Sequence, residues 1–111
     1  MSTVFGLIIQ GKLPAKKIFE NDRILAIEDI HPVAPVHILI IPKKEIPNLQ
    51  SVGPEDAGLL SEVVAVAQQI AEEKGIEEGY RLLTNNGPDA GQTVFHLHFH
   101  LIGGRVLGKM A

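Results

Sequence analysis

Three of the chain's five histidines fall in one short stretch, His96-Leu97-His98-Phe99-His100-Leu101. Imidazole is the one side chain whose ordinary titration lies near neutrality, and it serves as nucleophile, proton carrier or metal ligand. Side chains alternate across a strand, so in an extended segment His96, His98 and His100 share one face. Leu97, Phe99 and Leu101 then share the other and can face a core. A solvated sheet face normally mixes Lys, Glu, Thr and Ser. A face made only of imidazoles calls for a chemical reason.

Two chemistries fit the pattern. Three imidazoles with an open position make a catalytic zinc site. The third histidine on one straight strand sits too far along for tetrahedral closure, so that reading needs help from His37 and from Asp29 or Asp89. The other chemistry is nucleophilic attack on phosphorus. One ring nitrogen attacks while the other holds its proton against an acceptor, and flanking imidazoles carry protons. The loop just before the stretch, "NNGPDAGQT", suits an anion. Backbone N–H groups around Gly87, Gly91, Gln92 and Thr93, with the side chains of Asn85 and Thr93, could surround a phosphate.

The elements that position these groups are legible in outline. "TVFGLIIQG" predicts a short helix with Thr3 as N-cap and Gly11 as stop. "KKIFEND" and "RILAIEDI" predict two strands joined at "END". "HPVAP" breaks the pattern with two prolines. "VHILIIPK" is nearly all apolar and predicts a central strand covered on both faces, with His37 the one polar side chain near its start. "GPEDAGLLSEVVAVAQQIAEEKG" predicts a long helix that buries Leu59, Val63, Val66 or Ala67, and Ile70. "YRLLTNN" and "VFHLHFHLIGG" predict the last two strands. Five strands with one long helix inserted predict an antiparallel sheet with the helix on one face, an α+β fold.

Composition narrows the function classes. A chain of 111 residues suits one domain over its whole length, 1–111. A net charge of −3 offers no basic footprint for nucleic acid. No cysteine is present, so disulfides and thiolate metal sites are excluded. The N-terminal residues lack the pattern of a secretory signal, and no apolar run is long enough to span a bilayer. The expectation is a soluble, cytoplasmic protein that makes no membrane contact.

The residues also match a known pattern. "HLHFHL" fits H-φ-H-φ-H-φ-φ, φ being apolar, and resembles the histidine triad family. The likeness runs through "FGLIIQGKLPAKKIFENDRILAIEDIHPVAPVHILIIPKK" and "GYRLLTNNGPDAGQTVFHLHFHLIGGR". It is most similar to the histidine triad nucleotide-binding branch, whose members act as purine nucleoside phosphoramidases. That resemblance implies a homodimer with a ten-stranded sheet continuous across both protomers. It implies hydrolysis of nucleoside 5′-phosphoramidates and aminoacyl adenylates with no metal and no cofactor. His98 would be the nucleophile that is transiently nucleotidylated. His100 would contact the phosphate and protonate the leaving amine, with His96 and His37 orienting the network. Asn85, Gly91, Gln92 and Thr93 would line the phosphate pocket. Asp29 would hold the ribose hydroxyls, and Phe5, Ile8, Leu13, Ile27 and Ile30 would wall the base pocket. His31 is expected to face solvent, and Arg105 is left out of the site. The tail after "GGR" has no aromatic residue, which leaves the leaving-group side open.

Overall fold

The structure, a computed structural model, describes residues 2–110. Helix α1 spans Val4–Ile9, and the Thr3 side chain caps it by accepting from Gly6 N–H at 3.1 Å. Strands β1 (Lys17–Glu20), β2 (Ile24–Glu28) and β3 (Val36–Pro42) follow. The long helix α2 is Ala57–Glu73, preceded by a 3-10 turn at Pro54–Asp56. Strands β4 (Tyr80–Leu83) and β5 (Phe99–Gly103) close the chain. The sheet order is β1-β2-β3-β5-β4, and every pairing is antiparallel. The expected α+β architecture is borne out.

Strands β2 and β3 read as continuous apolar runs because both of their faces are covered. On one face Ile24, Ala26, Ile38, Ile40 and Leu101 pack with Val63, Val66, Ala67 and Ile70 of α2. On the other, Leu25, Ile27, Leu39 and Ile41 pack with Phe5 and Ile8 of α1. The helix face expected from the sequence is the buried one, except that Leu59 is only partly covered. Gly103 is close-packed: a Cβ there would meet Ile76 Cδ1 at 2.8 Å. No described helix is long and apolar enough to cross a membrane.

One element differs from expectation. β5 begins at Phe99, not at Val94, so His96 and His98 precede the ladder. Ile40 pairs with Phe99, and the same antiparallel register brings Pro42 opposite Leu97, two residues before the ladder. Pro42 has no N–H to continue a ladder. The chain hooks instead onto the segment after β3, where Leu97 N–H donates to Ile46 O at 2.6 Å.

Candidate active site

The α1 face of the sheet opens beside β5 into a cavity of about 730 Å³. Its apolar wall includes Phe5, Ile8, Leu13, Ile27 and Leu39, and its polar groups include Asp29, Thr93, His98 and His100. Strand register explains the shared face. His100 pairs with Leu39 of β3, and His37 pairs with Ile102, so His37, Leu39, His100 and Ile102 point to one side.

His98 is held tightly although it lies outside the ladder. Its Nδ1–H donates to the His96 carbonyl at 2.7 Å. That bond puts the proton of the neutral ring on Nδ1 and leaves the Nε2 lone pair free. Phe5 meets the ring edge-on, with centroids 4.8 Å apart. Burial holds the His98 pKa below the ordinary imidazole value. His100 stands beside it, ring centroids 5.2 Å apart. Burial, then the neighbouring His98 and His37, push His100 down to about 4. Burial also lowers His37, against the opposing pull of the Asp29 carboxylate. At neutral pH the site therefore presents uncharged rings.

His96 does not join this face. Its ring is buried at 2% exposure, and its Nε2–H donates to Pro42 O at 2.7 Å. It anchors the segment to the end of β3, and its own carbonyl orients His98. The shared face expected for three histidines thus holds for two: the ladder begins only at Phe99, and the His96 ring turns to the end of β3. Among the described residues, the groups that converge as possible metal ligands are Asp29, His37 and His100, within 4.8 Å of one another. His96, His98 and Asp89 take no part in that cluster.

The loop before the triad also differs from expectation. Several of its N–H groups are spent internally: Ala90 and Gln92 donate to Gly87 O, and Gly91 donates to Pro88 O. Gln92 is buried, with its oxygen accepting from Gly87 N–H at 2.8 Å and its amide donating to Pro47 O and Val94 O. It braces the loop and has no free donor for phosphate. Asn85 and Gly91 do not border the cavity, whereas Thr93 does and is exposed. Ile30 also borders the cavity, although it is 86% exposed. Asp29 borders the cavity, yet one of its oxygens already accepts His31 N–H at 2.7 Å. It therefore has both a turn-forming role and a free edge. His31 is exposed, as expected, at the same rim.

Thr84 carried no signal in the sequence. Its hydroxyl donates to the His98 carbonyl at 2.7 Å, just where β4 has ended and no backbone donor continues the pairing. A Thr-rich strand end is commonplace, and only the β4–β5 register reveals the bond. Thr84→Val removes the hydroxyl at nearly constant volume and leaves that carbonyl without this partner. The expected result is a loss of roughly 1 kcal/mol of stability. A kcat reduced about three- to tenfold at unchanged KM should accompany it. Thr84→Ser should restore both, and a Thr84→Val enzyme with wild-type kcat would contradict the assignment.

Comparison with known proteins agrees with this geometry. A HIT-like protein of Chlamydia pneumoniae is 50% identical over 109 residues, covering 98% of this chain and 99% of its own length. A crystal structure of a HIT family hydrolase from Legionella pneumophila is 44% identical with a TM-score of 0.94, covering 96% of each chain. A histidine triad nucleotide-binding protein from Candida albicans superimposes with a TM-score of 0.82 at 32% identity, covering 99% of this chain and 86% of that one. The family model for the HIT domain matches residues 10–107, and with the paired imidazoles of His98 and His100 over the α1 cavity, the chain belongs to the HIT domain family.

Proposed function

We propose that this protein is a hydrolase that cleaves the P–N bond of purine nucleoside 5′-phosphoramidates, and of aminoacyl adenylates, through a nucleotidyl-His98 intermediate. The observation that carries this reading is the His98 ring, fixed at Nδ1 by the His96 carbonyl, with Nε2 free. The names of the relatives support it: one is a HIT family hydrolase and another a histidine triad nucleotide-binding protein. The base lies against Phe5, Ile8 and Ile27, and the ribose hydroxyls meet the free edge of Asp29. His98 Nε2 attacks the α-phosphorus; an Nε2–P bond forms as the P–N bond breaks. His100 donates a hydrogen bond to the phosphoryl oxygens and relays a proton taken up from solvent to the departing amine, and the water that attacks next returns a proton to solvent. Thr93 adds its hydroxyl. Water then attacks phosphorus, releases the nucleoside monophosphate and returns His98 to its neutral form. The reaction uses no metal and no cofactor, and it runs in the cytoplasm.

Quenching the wild type early in turnover of adenosine 5′-phosphoramidate tests the reading. Mass spectrometry should find a nucleotidyl adduct on His98. Hydrolysis with the adduct on another residue would refute it. A nucleotide-binding protein with residual hydrolysis is the rival reading, and kcat/KM far below about 10⁴ M⁻¹s⁻¹ would favour it.

Titration gives a second expectation. The attacking ring must be neutral, and burial holds its pKa below the ordinary imidazole value of 6.5. Protonation therefore removes the nucleophile only on the acid side of that value. For a substrate whose leaving group needs no proton, kcat/KM should be flat at alkaline pH and fall on the acid side with a midpoint below 6.5. A midpoint above 6.5 would contradict the burial of His98.

The protein is also proposed to act as a homodimer. Strand β4 pairs only with β5 among the described residues, and its other edge is open. A twofold contact through β4 and α2 would join two sheets into one of ten strands. Light scattering should give about twice the chain mass of 12.0 kDa; a monomer at micromolar concentration would exclude it.

A further inference from the structure

His37 is hydrogen-bonded at both ring nitrogens. Val33 N–H donates to His37 Nδ1 at 3.1 Å. A main-chain amide can only donate, so Nδ1 carries no proton. Neutral His37 then holds its proton on Nε2, which lies 2.9 Å from His100 Nδ1. That nitrogen must accept, and neutral His100 is left with its proton on Nε2. A single main-chain N–H thus sets two tautomers in series.

The same geometry bears on metal ions. Asp29 Oδ2 lies 3.4 Å from His37 Nε2. With His100 these atoms converge within 4.8 Å. Tetrahedral zinc, with ligands at about 2.0–2.2 Å, wants donor atoms about 3.3–3.6 Å apart. The Asp29–His37 spacing is suitable, but the lone pairs are not. Binding through His37 Nε2 requires the proton to move to Nδ1, where it would meet the Val33 N–H head-on.

We infer that the Val33 main-chain N–H is a positioning group that reserves the Asp29–His37–His100 cluster for proton transfer and closes it to divalent metal ions. This deepens the proposed reading of His100 as proton donor and rests on it in that respect alone. The amide is well placed for the task. Pro32 and Pro35 stiffen the turn on either side. Arg105 Nη2 donates to Val33 O at 2.9 Å and ties the turn to the end of β5. The Val33 side chain is 58% exposed, so changes there act on the amide more than on packing.

Long-range ¹H–¹⁵N spectra of the labelled wild type at neutral pH report the tautomers directly. His37 and His100 should each be protonated on Nε2 and bare on Nδ1; a proton on Nδ1 of either ring overturns the inference. Zinc in modest excess should leave both rings unmoved in the wild type and in Val33→Ala, which keeps the N–H. Zinc-induced shifts of both rings in the wild type would also overturn it. Val33→Pro deletes the donor. It should free His37 to change tautomer and should tighten zinc binding by about tenfold or more, a gain abolished by adding Asp29→Asn. A folded Val33→Pro protein that keeps the tautomer and still refuses zinc overturns the inference. Should that variant fail to fold, the wild-type spectra and zinc titration still decide. None of these readouts involves hydrolysis, so a failed search for nucleotidyl-His98 and a failed tautomer assignment are separate results.

Discussion

His98→Ala should abolish phosphoramidate turnover, lowering kcat by about 10⁴-fold or more, while the affinity for adenosine monophosphate changes by less than about threefold. The large kinetic effect follows from the proposed covalent step: without Nε2 there is no bond to phosphorus and no intermediate. The small binding effect follows from where affinity resides. Phe5, Ile8 and Ile27, the proposed base wall, and the Asp29 carboxylate border the cavity independently of the His98 ring. Among the described residues the ring's one hydrogen bond is to the His96 carbonyl, which solvent can satisfy in the cavity left behind. Steady-state kinetics and calorimetry on one preparation separate the two effects. Retention of a tenth of wild-type kcat would sink the nucleophile assignment, and parallel loss of binding would recast His98 as a ligand contact.

The second large effect concerns stability. Leu101→Ala should cost about 2–5 kcal/mol. Leu101 is fully buried in the cluster that α2 makes with β2 and β3. It pairs with Ile38 on one side and Leu82 on the other, so the cavity it leaves is lined by rigid strands that cannot collapse. Domains of this size have about 5–15 kcal/mol in total, and the melting temperature should fall by roughly 10–25 °C. Well below that transition, kcat should stay within about threefold of wild type. The reason is that Leu101 faces α2 whereas its neighbour His100 faces the cavity. A loss under about 1 kcal/mol would mean that β5 is not backed by the helix cluster.

How much of this was legible in the sequence differs from element to element. The two-sided burial of "VHILIIP" and the apolar face of α2 followed from periodicity, which burial enforces over many residues. The pairing of His98 with His100 followed from alternation. The place of His96 did not, because it depends on the missing N–H of Pro42, two strands away in the chain. The glycine-rich loop was read as a donor cradle, yet a loop with Gly87 and Gly91 at positive φ turns tightly enough to use its own carbonyls as acceptors. Gln92 looked like a ligand for phosphate because a buried amide and an exposed one have the same letter. Thr84 and the Val33 amide were invisible: one is a side chain meeting a carbonyl and the other a backbone group meeting a ring, and register alone creates both contacts.

Helix α1 has only six residues. Isolated helices shorter than about 12–15 residues are marginal in water, so α1 persists through the packing of Phe5 and Ile8 on Leu25, Ile27, Leu39 and Ile41. Those two side chains are also the cavity wall. The cavity is therefore built in part from the segment with the least independent stability. Amide hydrogens of Leu7 and Gln10 should exchange through local opening, while those of β3 exchange only on global unfolding. Any molecule that fills the cavity rests on Phe5 and must slow exchange across α1, making the protein's N-terminal turn a reporter of occupancy.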